Sequence, residues 1–328
     1  MGDDLGVELT DELRDRVRGV LLGCAVGDAL GVPYEFETLK LDGDPEMVGG
    51  GLGPYEPGEW SDDTQMAICI ARVAAAGTRL TSQAAQDDIA QAFLDWHRDG
   101  ATDIGVQTNK VLLDAERRDG SPATKLRAAA AYFAATSERA AGNGGLMRTA
   151  PVGLAFLHDR ELTAQAARDI ASFTHSDPMV GDVCVIWSEA IRLAVVEGRI
   201  DPYAGLDLLY EDSRSFYVDS LREAEQEGFR LEANSFTVTA LQAAWHAVWS
   251  VRNLSGEEAI REGLFAAVRQ GSDTDTTAAV AGSLLGAKHG ASSIPREWAD
   301  KVHGWPGMTG EDLTELGEQI AKKARPRF

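Results

Sequence analysis

Two short segments carry more side-chain oxygen than a helix start needs. Trp60-Ser61-Asp62-Asp63-Thr64-Gln65-Met66 sets adjacent acids before an Ala-rich apolar stretch, and Gly271-Ser272-Asp273-Thr274-Asp275-Thr276-Thr277 does the same far downstream. Ser, Asp and Thr are preferred N-cap residues, and acids are favoured at the positive end of a helix dipole, so either segment alone reads as capping. Capping takes one oxygen per helix. Ser61, Asp62 and Asp63, with Asp273, Asp275 and Thr276, offer a surplus that reads as ligands. If the two segments converge, carboxylates about 5 Å apart at an effective dielectric of about 20 repel by about 3 kcal/mol per pair, so the cluster requires cations or must spread. The donors are oxygens alone, without a Cys or His set, which points to Mg²⁺ or Mn²⁺ rather than zinc. Opposed carboxylate-bearing helix starts can bridge two such ions and leave positions for water and substrate.

Two further segments fit such a site. Gly23-Cys24-Ala25-Val26-Gly27-Asp28-Ala29-Leu30-Gly31 spaces glycines for close helix packing and leads through Pro33 to Glu35. Asp28 and Glu35 read either as site acids or as part of a packing stretch with an incidental surface acid. Gly142-Asn143-Gly144-Gly145-Leu146-Met147-Arg148 places glycines at a helix start, where backbone N–H groups could cradle phosphate. An ordinary interhelical turn would look the same.

The elements that must position these residues are helices. Apolar period-3.6 patterning predicts them over 12–26, 64–76, 104–118, 123–135, 146–157, 163–173, 179–197, 236–251, 257–269, 276–289 and 311–323, with one more after a Ser82 cap. Val183 to Trp187 has strand composition, but the polar residues that follow continue the helical period. The fold class is therefore all-α: a compact multi-helix domain over 15–328 behind an N-terminal extension, 1–14. Residues 42–60 hold six glycines and three prolines and form an irregular loop, of a length often used for lids or binding loops.

Composition narrows the function classes. The 328 residues carry a net charge of -21, which disfavours nucleic acid as a partner. No run approaches the roughly 20 apolar residues of a membrane span, so no membrane partner is expected and the protein reads as cytoplasmic. Cys24, Cys69 and Cys184 stand among small apolar residues in no metal or disulfide spacing and read as buried thiols.

In chain order, G-D-A-L-G-x-x-x-E, S-D-D-T-Q-M, D-I-G, G-N-G-G-L-M-R-x-x-P, T-H-S-D-P and G-x-D-T-D-T closely resemble the motifs of the ADP-ribosylglycohydrolase family, over roughly residues 15–290. The resemblance implies an all-α fold with two divalent cations, Mg²⁺ or Mn²⁺, at the base of an ADP-ribose cleft. It implies hydrolysis of the N-glycosidic bond of an ADP-ribosylated protein, with arginine the favoured linkage and ADP-ribose the product; the alternatives are a serine, O-acetyl or nucleobase linkage, or an ADP-ribose-binding module without turnover. Carried over by motif, Ser61, Asp62, Asp63, Asp273, Asp275 and Thr276 are metal ligands, and Glu35 is a metal-proximal acid. Asn143, Gly144, Gly145, Met147 and His175 line the diphosphate and ribose region, and Asp103 faces the scissile ribose. Ser61 stands where the family usually has threonine. His175 also reads as a core histidine. Trp245 and Trp249 read as core packing, and Phe236 is the candidate for stacking on adenine.

Overall fold

The computed structural model describes residues 9–324. Within them run α1 (Asp11–Gly31), α2 (Asp62–Ala75), α3 (Gln83–Arg98), α4 (Val106–Ala115), α5 (Pro122–Thr136), α6 (Val152–Ala155), α7 (Arg160–Ala171), α8 (Pro178–Glu197), α9 (Glu211–Ala224), α10 (Thr237–Ser250), α11 (Gly256–Val268), α12 (Thr274–His289), α13 (Arg296–Ala299) and α14 (Gly310–Lys323). A two-residue antiparallel hairpin, β1 (His303–Gly304) and β2 (Met308–Thr309), precedes α14. The fold is all-α, as the periodicity predicts, and Val183–Trp187 is helical, inside α8. Residues 11–14 belong to α1, while residues 1–8 of the expected extension lie outside the described residues.

The antiparallel pair α1 and α12 forms the axis. Glycines every four residues put Gly19, Gly23, Gly27 and Gly31 on one face of α1. A Cβ on Gly19, Gly23 or Gly27 would lie 2.2, 2.2 and 2.0 Å from the carbonyl oxygens of Gly286, Gly282 and Ala278, and one on Gly31 would lie 2.4 Å from Asp275 Cα. The backbones touch, so the C-terminal end of α1 meets the acidic N-terminal end of α12. The remaining faces of α12 are covered by α8, α10 and α11, and α14 covers α1. A helix enclosed on all sides has no polar face to present. This accounts for Asp11–Glu37 being apolar and long enough to cross a membrane while 94% of its most apolar window is buried inside the protein. The three cysteines are free and buried. Trp245 packs in the core at 6% exposure, with its indole N–H donated to Glu225, whereas Trp249 is only partly buried and carries the Arg252 guanidinium on its ring.

Two helix expectations fail. Residues 146–157 are not one helix: a 3-10 turn at Asn143–Gly145 runs into further turns, and only α6 is helical. Pro151 is the cause, since it lacks an N–H and turns the preceding residue away from the helical region. Conversely, α9 escapes the periodicity because its apolar face is narrow, with Tyr217, Leu221 and Ala224 buried and Phe216 exposed.

Candidate active site

The starts of α2 and α12 converge with the end of α1, and the N-cap residue of neither helix uses its side chain as a cap, although Asp275 Oδ1 accepts from Thr276 N at 2.8 Å within the first turn of α12. At the N-cap positions, the side chains of Ser61 and Asp273 make no hydrogen bond to the first turn. Asp28 caps α2 from outside: Oδ1 accepts from Ser61 N and Oγ at 2.9 and 2.8 Å, and Oδ2 from Thr64 N and Oγ1 at 3.0 and 2.6 Å. Asp28 is fully buried, so the reading of it as an incidental surface acid is wrong. Its partners lie 33 and 36 residues away, beyond any local sequence signal.

The carboxylates of the two segments are brought close to one another. Glu35, Asp273 and Asp275 bring carboxylate oxygens within 4.8 Å of one another. Ser61 Oγ lies 3.4 Å from both Asp63 Oδ2 and Asp275 Oδ2. Glu35 is carried by the 3-10 segment Val32–Glu37, pinned when Phe36 N donates to Ser272 O at 2.7 Å. Asn143 Nδ2 donates to Asp273 Oδ2 at 3.0 Å, joining the glycine turn to the acids. Asn234 accepts from Asp273 N at 2.8 Å and donates to Thr277 and the Gly271 carbonyl, which fixes the start of α12. Phe36, Asp103 and Ser272, all non-glycine residues with positive φ (44°, 54° and 59°), flank the site. Such backbone is strained and collects where the surroundings over-determine it.

The electrostatics match this crowding. Burial, reinforced by Asp103, Asp273 and Asp62, pushes Glu35 up to about 10. Burial likewise raises Asp62, Asp63 and Asp275 well above the usual carboxylate range, with further contributions from neighbouring acids, and it raises Asp103. Asp63 Oδ1 is buried without a hydrogen-bond partner, and the Glu35 and Asp103 carboxyls pair with each other only through a proton that one of them must carry. An orphaned buried oxygen and carboxyls pushed towards their neutral form are what an oxygen cage has before cations satisfy it. The donor set fits hard divalent ions.

These residues line a cleft of about 330 Å³, within the usual size range of small-molecule sites. Glu35, Asp62, Asp63, Asp103, Asp273, Asp275 and Thr276 form its acidic end, and Asn143, Gly144, Met147 and His175 also line it. Three expected residues do not. Ser61 is fully buried beneath the acids. Gly145 packs inward, where a Cβ would lie 2.5 Å from Val180. Phe236 is 42% exposed outside the lining, since its bridge to Gly142 presents Ser235 to the cleft instead. Sequence reasoning missed Gln107 and Thr108 on the wall, Phe36, Leu52 and Val106 towards the mouth, and Asn234 behind Asp273. Leu52 comes from the glycine-rich loop and Phe36 from the D-A-L-G-x-x-x-E segment, but nothing in the local pattern marks Gln107 or Asn234.

Known proteins resemble this chain in sequence and in fold. The ADP-ribosylglycohydrolase family model matches residues 9–327. The ADP-ribosyl-[dinitrogen reductase] glycohydrolase of Rhodospirillum rubrum is 30% identical over 285 residues, covering 85% of this chain and 87% of that one. The ADP-ribosylarginine hydrolase Tri1 of Serratia proteamaculans is 26% identical over 306 residues, covering 90% of this chain and 76% of that one. A solved ADP-ribosylglycohydrolase-related protein complex superposes with a TM-score of 0.73 at 29% identity, covering 96% of this chain and 100% of that chain. With a match spanning nearly every residue and the family's acidic motifs meeting in one cleft, the chain belongs to the ADP-ribosylglycohydrolase family of enzymes.

Proposed function

We propose that the protein hydrolyses the N-glycosidic bond between ADP-ribose and an arginine side chain of a modified protein, releasing ADP-ribose. The observation that carries the reading is the convergence of Glu35, Asp62, Asp63, Asp273 and Asp275 at one end of a cleft that Asp103 also lines. Asp62, Asp63, Asp273, Asp275 and Thr276, with Glu35 beside them, would hold two divalent cations, Mg²⁺ or Mn²⁺, whose chemistry is to orient oxygen ligands and lower the pKa of bound water. Cleavage develops positive charge on the ribose ring, and the carboxylates around it favour that charge. One of Glu35, Asp62 and Asp63 relays protons. Asn143, Gly144, Met147 and His175 hold the diphosphate and ribose, and Asp103, which lines the cleft beside Glu35, receives the departing guanidinium as a charge-assisted partner. That partner favours arginine over a serine or acetyl leaving group, and relatives named ADP-ribosylarginine hydrolase support the same choice.

The test is release of ADP-ribose from ADP-ribosyl-arginine with Mg²⁺, with Mn²⁺ and in excess chelator. Turnover that requires the metal is expected. Full turnover in chelator with negligible bound metal would remove the metal-dependent mechanism, and no release from the arginine linkage would remove the substrate.

A further inference from the structure

Arg148 is fully buried beneath the cleft and makes no ion pair with a carboxylate among the described residues. Its Nη2 donates to Thr174 Oγ1 at 2.6 Å and to the Ile170 carbonyl at 3.3 Å, Nη1 approaches Met66 Sδ at 3.7 Å, and the guanidinium lies over the Phe93 ring. Thr174 Oγ1 is in turn 2.8 Å from His175 Nδ1.

The proton order along this chain follows from what each group can do. Arginine has only donors, so Thr174 must accept from it. Thr174 is fully buried, and its hydroxyl proton has one acceptor in reach, His175 Nδ1. Were Nδ1 protonated instead, the threonine oxygen would accept twice and its own proton would be stranded in the interior, which buried polar groups avoid. Nδ1 is therefore the acceptor, and the ring proton sits on Nε2. That atom is at the cleft wall: a Cβ on Gly142 or Gly144 would lie 3.4 or 3.3 Å from it. Charging the ring is opposed by burial and by the Arg148 cation.

We propose that the Thr174 hydroxyl, oriented by Arg148, is a positioning residue that holds His175 in the neutral Nε2–H tautomer, so that the ring presents a fixed N–H donor to an anionic oxygen of the ligand. A histidine left to itself divides between tautomers and gains a proton near pH 6.5. Here one ring nitrogen is committed inward, so the other offers a donor without the positive charge that would unbalance the buried guanidinium beside it. The ligand half of this inference rests on the ADP-ribose reading; the tautomer half stands without it.

The experiment combines ring-nitrogen NMR of His175 in the ligand-free protein with ADP-ribose binding by calorimetry, for the parent, Thr174→Val and Thr174→Ser. The parent should show protonated Nε2 and unprotonated Nδ1 on both sides of pH 6.5. Thr174→Val should mix the tautomers and weaken ADP-ribose by at least about tenfold, the factor expected for one hydrogen bond to a charged acceptor. Thr174→Ser, which keeps the hydroxyl, should restore both. A parent carrying the proton on Nδ1 overturns the inference, even if the valine variant does not fold. A valine variant that loses thermal stability but keeps the parent's tautomer and affinity also overturns it, because Thr174 would then be structural only. A parent with the expected tautomer that fails to bind ADP-ribose sinks the ADP-ribose reading, and with it the ligand half alone.

Discussion

Asp28 Oδ1 accepts both the backbone N–H and the hydroxyl of Ser61, at 2.9 and 2.8 Å. This contact fixes the start of the acidic segment of α2. A helix start must find acceptors for its first N–H groups. Because α1 supplies acceptors from outside for Ser61 and Thr64, the start of α2 is fixed where Asp62 and Asp63 line the cleft.

Asp28→Ala should therefore cost about 3 kcal/mol, since it strands buried donors of Ser61 and Thr64 at once and hydrogen bonds to charged groups contribute about 1.5–3 kcal/mol each without adding fully. Activity should fall as well, because Asp62 and Asp63 lose their anchored helix start. Urea unfolding of the parent and variant decides it: equal midpoints would mean that α2 is held by packing alone.

The glycine seam makes a sharper stability prediction. At Gly27 an added Cβ meets backbone atoms, 2.0 Å from Ala278 O and 2.5 Å from its carbonyl carbon, so α1 and α12 must separate. Gly27→Ala should destabilise by more than about 3 kcal/mol, at or beyond the upper end of ordinary overpacking. Gly181 in α8 is the contrast, since its Cβ would meet only Arg168, at the ordinary contact distances of 3.4 Å to its Cγ and 3.9 Å to its Cα. Gly181→Ala should gain up to about 1 kcal/mol from helix propensity. Thermal melts in which both alanines behave alike would contradict the close backbone contact.

How far the sequence leads here depends on range. Apolar period and glycine spacing are local, and they place α1, α2 and α12 and mark a close-packing face on α1, but not that α12 is what fills it. Surplus oxygen at residues 61–63 and 273–276 is local too, and it marks acids that do face the cleft. What depends on a distant partner was illegible: Asp28 acts through Ser61 and Thr64, and Asp273 is held by Asn234 from a segment with no motif of its own. Phe236 shows another limit: an aromatic near a site in sequence does not say which way it faces, and the bridge between Gly142 and Phe236 puts Ser235, rather than the ring, in the cleft lining.

Crowded acids give a pH prediction whose sign can be worked out. Burial and neighbouring carboxylates raise Glu35 to about 10 from an ordinary 4.5, and Asp62, Asp63 and Asp275 also shift upwards. A raised carboxyl binds its proton more tightly in the folded state, so its contribution is fully present below the unfolded value and is lost as pH rises towards the folded one. Metal-free protein should thus melt at progressively lower temperature as pH climbs from 4.5 towards 10. Mg²⁺ or Mn²⁺ should flatten that slope by replacing protons with cations, stabilising most at the alkaline end. A melting temperature in chelator that rises with pH over this window, or a metal effect that does not grow with pH, would contradict the acidic cage.

Asp103 should decide the leaving group. Its backbone lies at φ 54°, a conformation that asparagine tolerates well, so Asp103→Asn removes the charge without forcing the loop to move. A guanidinium gains a charge-assisted pair from the carboxylate that a serine hydroxyl cannot match. Such bonds contribute about 1.5–3 kcal/mol, or roughly 10- to 150-fold in kcat/KM if the contact strengthens mainly in the transition state. The variant should lose that factor on ADP-ribosyl-arginine, lose less on a serine-linked substrate, and keep the parent's Kd for ADP-ribose, which has no guanidinium to lose. The three quantities are measured side by side for the parent and the variant. If all fall together, Asp103 shapes the cleft rather than reading the leaving group; if the parent cleaves the serine linkage faster, the arginine assignment fails while the glycohydrolase chemistry survives.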